Sequence, residues 1–341
     1  MTFSYAVQVV REDGSHVEQV PVRVDWEPAR EWLRLKALER GLAPEQAFLL
    51  DCTFEPVWDS TRGQPFLAGF EGATDHDPAA KESFPVSYFG ELSRSITKRL
   101  VADGALQKGD LIRCHPVAFP ASPDQDPDRE PRLGRMSPPR ITLGAATLAD
   151  ITGGIPGDAP SDNDPMPAVI PEQVIREVAE RTLAEQGSRE TGGILIGHLW
   201  RDALAQRLFV EVTAQIPAEH TEASSAKLTF TPATWTAVQA ALALRTRGEV
   251  MLGWWHSHPV REWCKDCSPE KRAKCALAEG FLSEDDRLLH RAVFPRAYSV
   301  ALVVNDIGEG GPTFSLFGWE RGQIQPRAFH QVSEGRHAHA E

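Results

Sequence analysis

No stretch of the 341-residue chain reaches the roughly 18–20 apolar residues that a membrane-spanning helix needs. The opening run MTFSYAVQVVREDG lacks the basic segment followed by an apolar segment that marks a secretory signal, so the chain is expected to stay in the cytoplasm and away from membranes. Long basic runs are also missing. With 36 Lys and Arg against 48 Asp and Glu, the net charge of −12 disfavours binding to a phosphate backbone, and nucleic acid is set aside as a partner. Cysteine is scarce: five residues, an odd number, do not make a disulfide framework. Neither a Walker motif, a dinucleotide-binding glycine fingerprint nor a nucleophile elbow is present.

What is present divides into segments. Residues 1–119 read as a separate α+β domain with the order β-β-α-β-β-α-β: strands at 3–11 and 17–25 about an Asp13–Gly14 turn, a helix from Pro28 to Arg40, and later a helix near 90–103 and a strand at 111–119. Its first sixty residues could form a β-grasp. Residues 120–168 are a Pro-, Asp- and Gly-rich linker with too little apolar surface to pack, apart from ITLGAATLADI, which could dock as a short strand. From 169 to 325 the pattern is α/β. An amphipathic helix runs from Pro171 to Gly187, followed by strands at 192–200 and 207–216 and a helix at 233–247. A strand at 249–258, a helix from Ser283 to about Arg291, and strands at 297–305 and 313–320 complete it. Residues 326–341 read as a polar, frayed tail.

Chemistry concentrates in that second half. His256-Ser257-His258 ends an apolar strand, and side chains two apart on a strand share a face, so both imidazoles can reach one zinc ion. A catalytic zinc usually keeps three protein ligands and one open position. Asp286 can supply the third from the start of a helix, with Ser283 three residues earlier as the cap. Taken singly, an H-x-H or an S-x-x-D is common by chance. Glu190, at the edge of the apolar strand GGILIG, is a charged group whose place needs a reason.

ETGGILIG, GWWHSHP and FLSEDD together resemble the JAMM (MPN+) metalloproteases, whose pattern is a Glu, then H-x-H-P, then S-x-x-D. The likeness covers about residues 170–320. It implies a cytidine-deaminase-like α/β/α sandwich (the JAB/MPN domain) and a catalytic zinc on His256, His258 and Asp286. It also implies Glu190 as general base, and Ser283 hydrogen-bonded to the developing oxyanion. The activity implied is a zinc-dependent peptidase or isopeptidase that cuts at the C-terminus of a ubiquitin-like protein, as a deconjugating or precursor-processing enzyme. Ubiquitin-like proteins, their conjugates and conjugation-pathway proteins are the partners so implied, in a bacterial setting that includes antiviral systems.

The sequence departs from that family between His258 and Asp286, where the span is longer and holds Cys264, Cys267 and Cys275 in C-x2-C and C-x7-C spacing within an insertion at 260–280. In a reducing compartment such a cluster indicates a second, structural zinc, because two thiolates on one tight turn reach the same ion. His290 is the first choice for the fourth ligand, since some deubiquitinating relatives carry a second-zinc histidine near that place. Cys52, Cys114 and His115 are weaker choices, and free surface thiols are the plain alternative. Lys265, Lys271, Arg272 and Lys274 make the insertion locally basic, for a partner or simply for solvent. Trp254 reads as core, while His198, His220 and His330 have no partner at ligand spacing. His337 and His339 repeat H-x-H in the tail.

Three other functions compete. The same active site would serve a peptidase acting on a sulfur-carrier protein. A JAB-fold scaffold without chemistry would not need the intact ligand set. DNA-repair-associated JAB-like proteins carry Asn between the histidines, where this chain has Ser257.

Overall fold

The structure, a computed structural model, describes residues 2–121, 141–153, 164–185, 189–218, 221–223, 228–275, 277, 279–307 and 311–333. Most of the linker (122–140 and 154–163), Gly187, His220, and His337 and His339 of the tail lie outside the described residues. The chain divides into two compact units. One comprises Met1–Arg34 and Phe48–Pro138; the other comprises Leu35–Ala47 and Pro139–Glu341. Among the described residues no helix is long and apolar enough to cross a membrane.

In the first unit, β1 (Thr2–Arg11) pairs antiparallel with β2 (His16–Val22) and with β6 (Ile112–Ala121). The expected turn is there: Gly14 has φ 85°, and the Ser15 amide donates to Asp13 Oδ1 at 2.8 Å. A second antiparallel sheet holds β3 (Cys52–Trp58), β4 (Leu67–Thr74) and β5 (Glu82–Pro85). Helix α1 (Glu27–Glu39) starts in this unit, while its end from Leu35 and α2 (Pro44–Phe48) up to Ala47 fall to the second unit. A 3-10 turn (Val86–Phe89) leads into α3 (Gly90–Ala102), whose Ile96 and Leu100 pack with Val7, Val9 and Val20. The β-grasp expectation is corrected. The first sixty residues put β1 and β2 in one three-stranded sheet and β3 in another, a consequence of non-local pairings with β6 and β4 that no local pattern encodes.

The second unit is built on one large sheet in the order β16-β15-β14-β13-β9-β10-β8-β17, with β7 added alongside β9. Its strands are β7 (Leu143–Ala145), β8 (Ala168–Pro171), β9 (Gly192–Asp202), β10 (Arg207–Pro217), β13 (Val250–His258), β14 (Val300–Asn305), β15 (Thr313–Glu320), β16 (Gln323–Arg327) and β17 (His330–Val332). A separate hairpin joins β11 (Thr221–Ala223) to β12 (Leu228–Phe230). The class is mixed α/β. β13 and β14 run parallel and lie at the heart of the sheet, with Val300 to Val304 fully buried, which is why both read as nearly unbroken apolar runs.

Helices cover both faces of this sheet. Trp254 and Trp255 are consecutive on β13 and so point to opposite sides. On one side α6 (Pro232–Arg245) and α9 (Glu284–Val293) meet Trp254 through Val238 and His290. On the other, Trp255 donates to Gln215 Oε1 at 3.3 Å, and Gln215 donates to Glu177 of α5 (Glu172–Ala184) at 3.2 Å. Within β13 the pairing with β9 shifts register between Met251 and Gly253. A β-carbon on Gly253 would stand 1.8 Å from the Val300 carbonyl oxygen, so only glycine lets the strands approach this closely. Gly253→Ala is expected to cost at least about 1–3 kcal/mol, the range for overpacking a tight core, read as a lower denaturation midpoint. An unchanged midpoint would contradict this packing.

One sequence reading holds and one changes at the borders of the sheet. The linker segment ITLGAATLADI docks as a short strand, as expected. Leu143–Ala145 docks on β9 as β7, and α4 (Leu148–Thr152) follows with a capping box between Thr147 and Asp150. The tail is shorter than 326–341. Residues up to Val332 belong to the sheet as β16 and β17, and the Arg327 guanidinium is buried and donates to the Met166 carbonyl at 3.0 Å. Short strands of mixed polarity give no clear periodicity, so they read as tail.

Candidate metal centre

The centre is assembled from two local patterns. β13 delivers His256 and His258, both almost fully buried, to the same face. Their Nε2 atoms stand 2.9 Å apart. Helix α9 delivers Asp286 through its own N-cap. Ser283 Oγ accepts from the Asp286 amide at 3.1 Å, and the Ser283 amide donates to Asp286 Oδ2 at 2.8 Å. That Oδ2 lies 3.5 Å from His256 Nε2. Among the described residues, these three side chains form the one group whose ligand atoms all lie within 4.8 Å of one another.

The donor set fits zinc. Ligand nitrogens at about 2.0–2.1 Å on a tetrahedral ion stand about 3.3 Å apart, and the observed 2.9 and 3.5 Å bracket that spacing. The His258 Nδ1–H donates to Asn305 Oδ1 at 3.2 Å, which leaves the Nε2 lone pair directed at the centre. Burial, reinforced by His256, lowers the His258 pKa from 6.5 to about 3, so the ring is neutral and able to ligate. Burial pushes the Asp286 carboxyl upward, but the hydrogen bond and charge of His256 and the bonds from Ser283 outweigh it and hold the group below the usual carboxylate range. Two imidazole nitrogens and an anion converge in a largely buried position, an arrangement that suits a cation. His256 is held differently from its neighbour. Its ring stacks on Trp254 at 4.6 Å, and its buried Nδ1 has no hydrogen-bond partner among the described residues.

Glu190 lies just ahead of β9 and is 6% exposed. Its neighbour Thr191 is bound to β13 twice: the Thr191 amide donates to Ser257 Oγ at 2.8 Å, and the Ser257 amide donates to the Thr191 carbonyl at 2.8 Å. Burial first, with His256 opposing and Asp286 adding, raises the Glu190 carboxyl from 4.5 to about 7. A carboxylate in that range exchanges protons readily at neutral pH. It is not one of the three residues whose ligand atoms converge.

Aromatic rings enclose His258. Phe281 lies 4.6 Å from it and Trp263, from the inserted helix α7 (Val260–Trp263), 5.1 Å. Asn305, Trp263 and Phe281 were not singled out from the sequence. The signal for Asn305 was a polar residue closing the apolar strand Val300–Val304, but its meaning depends on the register that sets it opposite His258.

The second ligand set is corrected at His290. Its Nδ1 accepts from Trp254 Nε1 at 3.1 Å, and its ring lies between Phe294 at 6.0 Å and Trp319 at 5.5 Å. Being one turn beyond Asp286 on α9 turns it into the core beneath the sheet, so it is a core histidine and no ligand to the cysteines. Burial lowers its pKa to about 3. Cys264 Sγ lies 3.9 Å from Cys275 Sγ, and all five cysteines are free thiols. Cys52 and Cys114 are half-buried on β3 and β6 of the first unit.

Comparison with protein-family models gave no match, and comparison with curated proteins gave none. Among solved structures, the solution structure of protein DSY2949 from Desulfitobacterium hafniense is similar at 17% identity. The match covers 50% of this chain and 99% of that one, with a TM-score of 0.34.

Proposed function

We propose that the second unit is a zinc-dependent peptidase or isopeptidase of the JAMM (MPN+) kind, with a cytidine-deaminase-like α/β/α sandwich, cutting at the C-terminus of a ubiquitin-like protein. The observation that carries the reading is the convergence of His256, His258 and Asp286 beside a buried carboxyl, Glu190, raised to about 7. The substrate class rests on the resemblance of the ETGGILIG, GWWHSHP and FLSEDD motifs to that family.

His256, His258 and Asp286 would hold the zinc, which when bound supplies Lewis acidity toward a scissile carbonyl and acidifies water. The chain's own groups divide the remaining work. Asn305 fixes the tautomer and tilt of His258. Ser283 accepts from the Asp286 amide through one lone pair, which leaves its hydroxyl hydrogen to donate to a developing oxyanion. Glu190 takes a proton from the attacking water and returns it to the leaving amine, a double task for which a pKa near neutrality suits it. Trp263 and Phe281 limit the water around His258.

The test is to incubate the protein with ubiquitin-like fusions carrying a C-terminal extension and to follow cleavage after the ubiquitin-like tail, with and without chelator. Sulfur-carrier fusions in the same panel separate the two substrate classes.

A further inference from the structure

The insertion between β13 and α9 holds three of the five cysteines and two very short helices, α7 and α8 (Pro269–Ala273). Helices of four and five residues do not persist by themselves. Cys264 closes α7, with its amide donating to the Val260 carbonyl at 2.9 Å. The chain then turns so that the Cys267 amide donates to the Cys264 carbonyl at 2.9 Å. Cys275 follows α8, with its amide donating to the Arg272 carbonyl at 3.0 Å. Each cysteine thus ends a tight turn, and the turns face one another.

The geometry points to a second metal site, made by the thiolates of Cys264, Cys267 and Cys275, that takes a soft tetrahedral cation of the zinc class. Cys264 and Cys275 Sγ stand 3.9 Å apart. Two sulfurs on one tetrahedral zinc at about 2.3 Å are about 3.8 Å apart, whereas a disulfide requires about 2.05 Å. Cys264 is 7% exposed and is the hub. The Arg272 guanidinium ties the frame together. It donates to the Cys264 carbonyl at 3.3 and 3.4 Å, to the Cys267 carbonyl at 3.3 Å and to the Ile307 carbonyl at 3.5 Å.

The trio does not close to within 4.8 Å all round, so binding draws in the half-buried Cys267 and Cys275 by side-chain rotation and leaves a fourth position to solvent. Such an ion would staple α7 to α8. Trp263, the residue before Cys264, is the one whose ring lies against His258. The second ion therefore shapes the wall of the first centre without sharing a ligand with it. It stands independently of the peptidase reading.

Cobalt tests this directly, because thiolate ligands give an intense near-ultraviolet charge-transfer band that a histidine and carboxylate site does not. Full-length protein, reduced and stripped of metal, is titrated with Co²⁺. The expected result is two equivalents bound and a charge-transfer band, with one equivalent and the band both lost in C267S/C275S. On native protein, zinc is expected to protect three of the five thiols from a thiol reagent, a measurement that does not depend on any variant folding. A wild-type titration without the band, or zinc that protects no thiol, would overturn the site.

Discussion

Glu190→Gln is expected to lower turnover by about 10²- to 10⁴-fold, the range for a positioned general base, and to leave the metal content unchanged. The substitution is nearly isosteric in a position only 6% exposed, so packing against β9 and β13 survives. What it removes is a carboxyl whose pKa is raised from 4.5 to about 7 by burial in the first place. Glutamine cannot accept a proton at any working pH. Turnover measured beside metal analysis separates this outcome from general damage. A variant that stayed active would remove Glu190 from the chemistry, and one that lost its metal would make it a ligand instead of a base.

Asp286→Asn separates two tasks that one side chain performs. The carboxylate caps α9 by accepting from the Ser283 amide, and it faces His256 at 3.5 Å as the anionic member of the proposed ligand set. An asparagine oxygen can still accept from Ser283, so stability should change by no more than about 1 kcal/mol, the usual worth of a cap. The negative charge is gone, and metal affinity should fall by more than about 100-fold, beyond what loss of an outer hydrogen bond causes. Asp286→Ala would remove the cap as well. Equilibrium denaturation of the metal-free proteins, together with zinc titration, measures the two effects independently. Equal zinc affinity in Asp286→Asn and wild type would refute the ligand role.

How much of this centre the sequence reveals follows from the range of the interactions. H-x-H at the end of β13 and S-x-x-D at the start of α9 are local patterns: a period of two puts both imidazoles on one face, and a three-residue offset builds a capping box. These residues were readable because backbone geometry alone orients them. Asn305 was not, since its role comes from the β13–β14 register that pairs it with His258. His290 illustrates the opposite error. Its helical offset from Asp286 was correct, but that same offset points it at Trp254 and away from the cysteines. The first unit shows the same limit on a larger scale, because β1 finds its partner β6 more than ninety positions along the chain. The strands of the second unit were legible because complete burial leaves long apolar runs, as in Val300–Val304, while β16 and β17 are short, of mixed polarity and partly exposed.

The most direct measurement is cleavage of a ubiquitin-like fusion by one protein preparation in three states: as purified, after exhaustive chelation, and after zinc is restored. The assignment of His256, His258 and Asp286 as ligands of a catalytic ion predicts cleavage at the fusion junction, its loss on chelation, and its return with about one equivalent of zinc at that centre. Cleavage that continued undiminished in the metal-free protein would contradict the account.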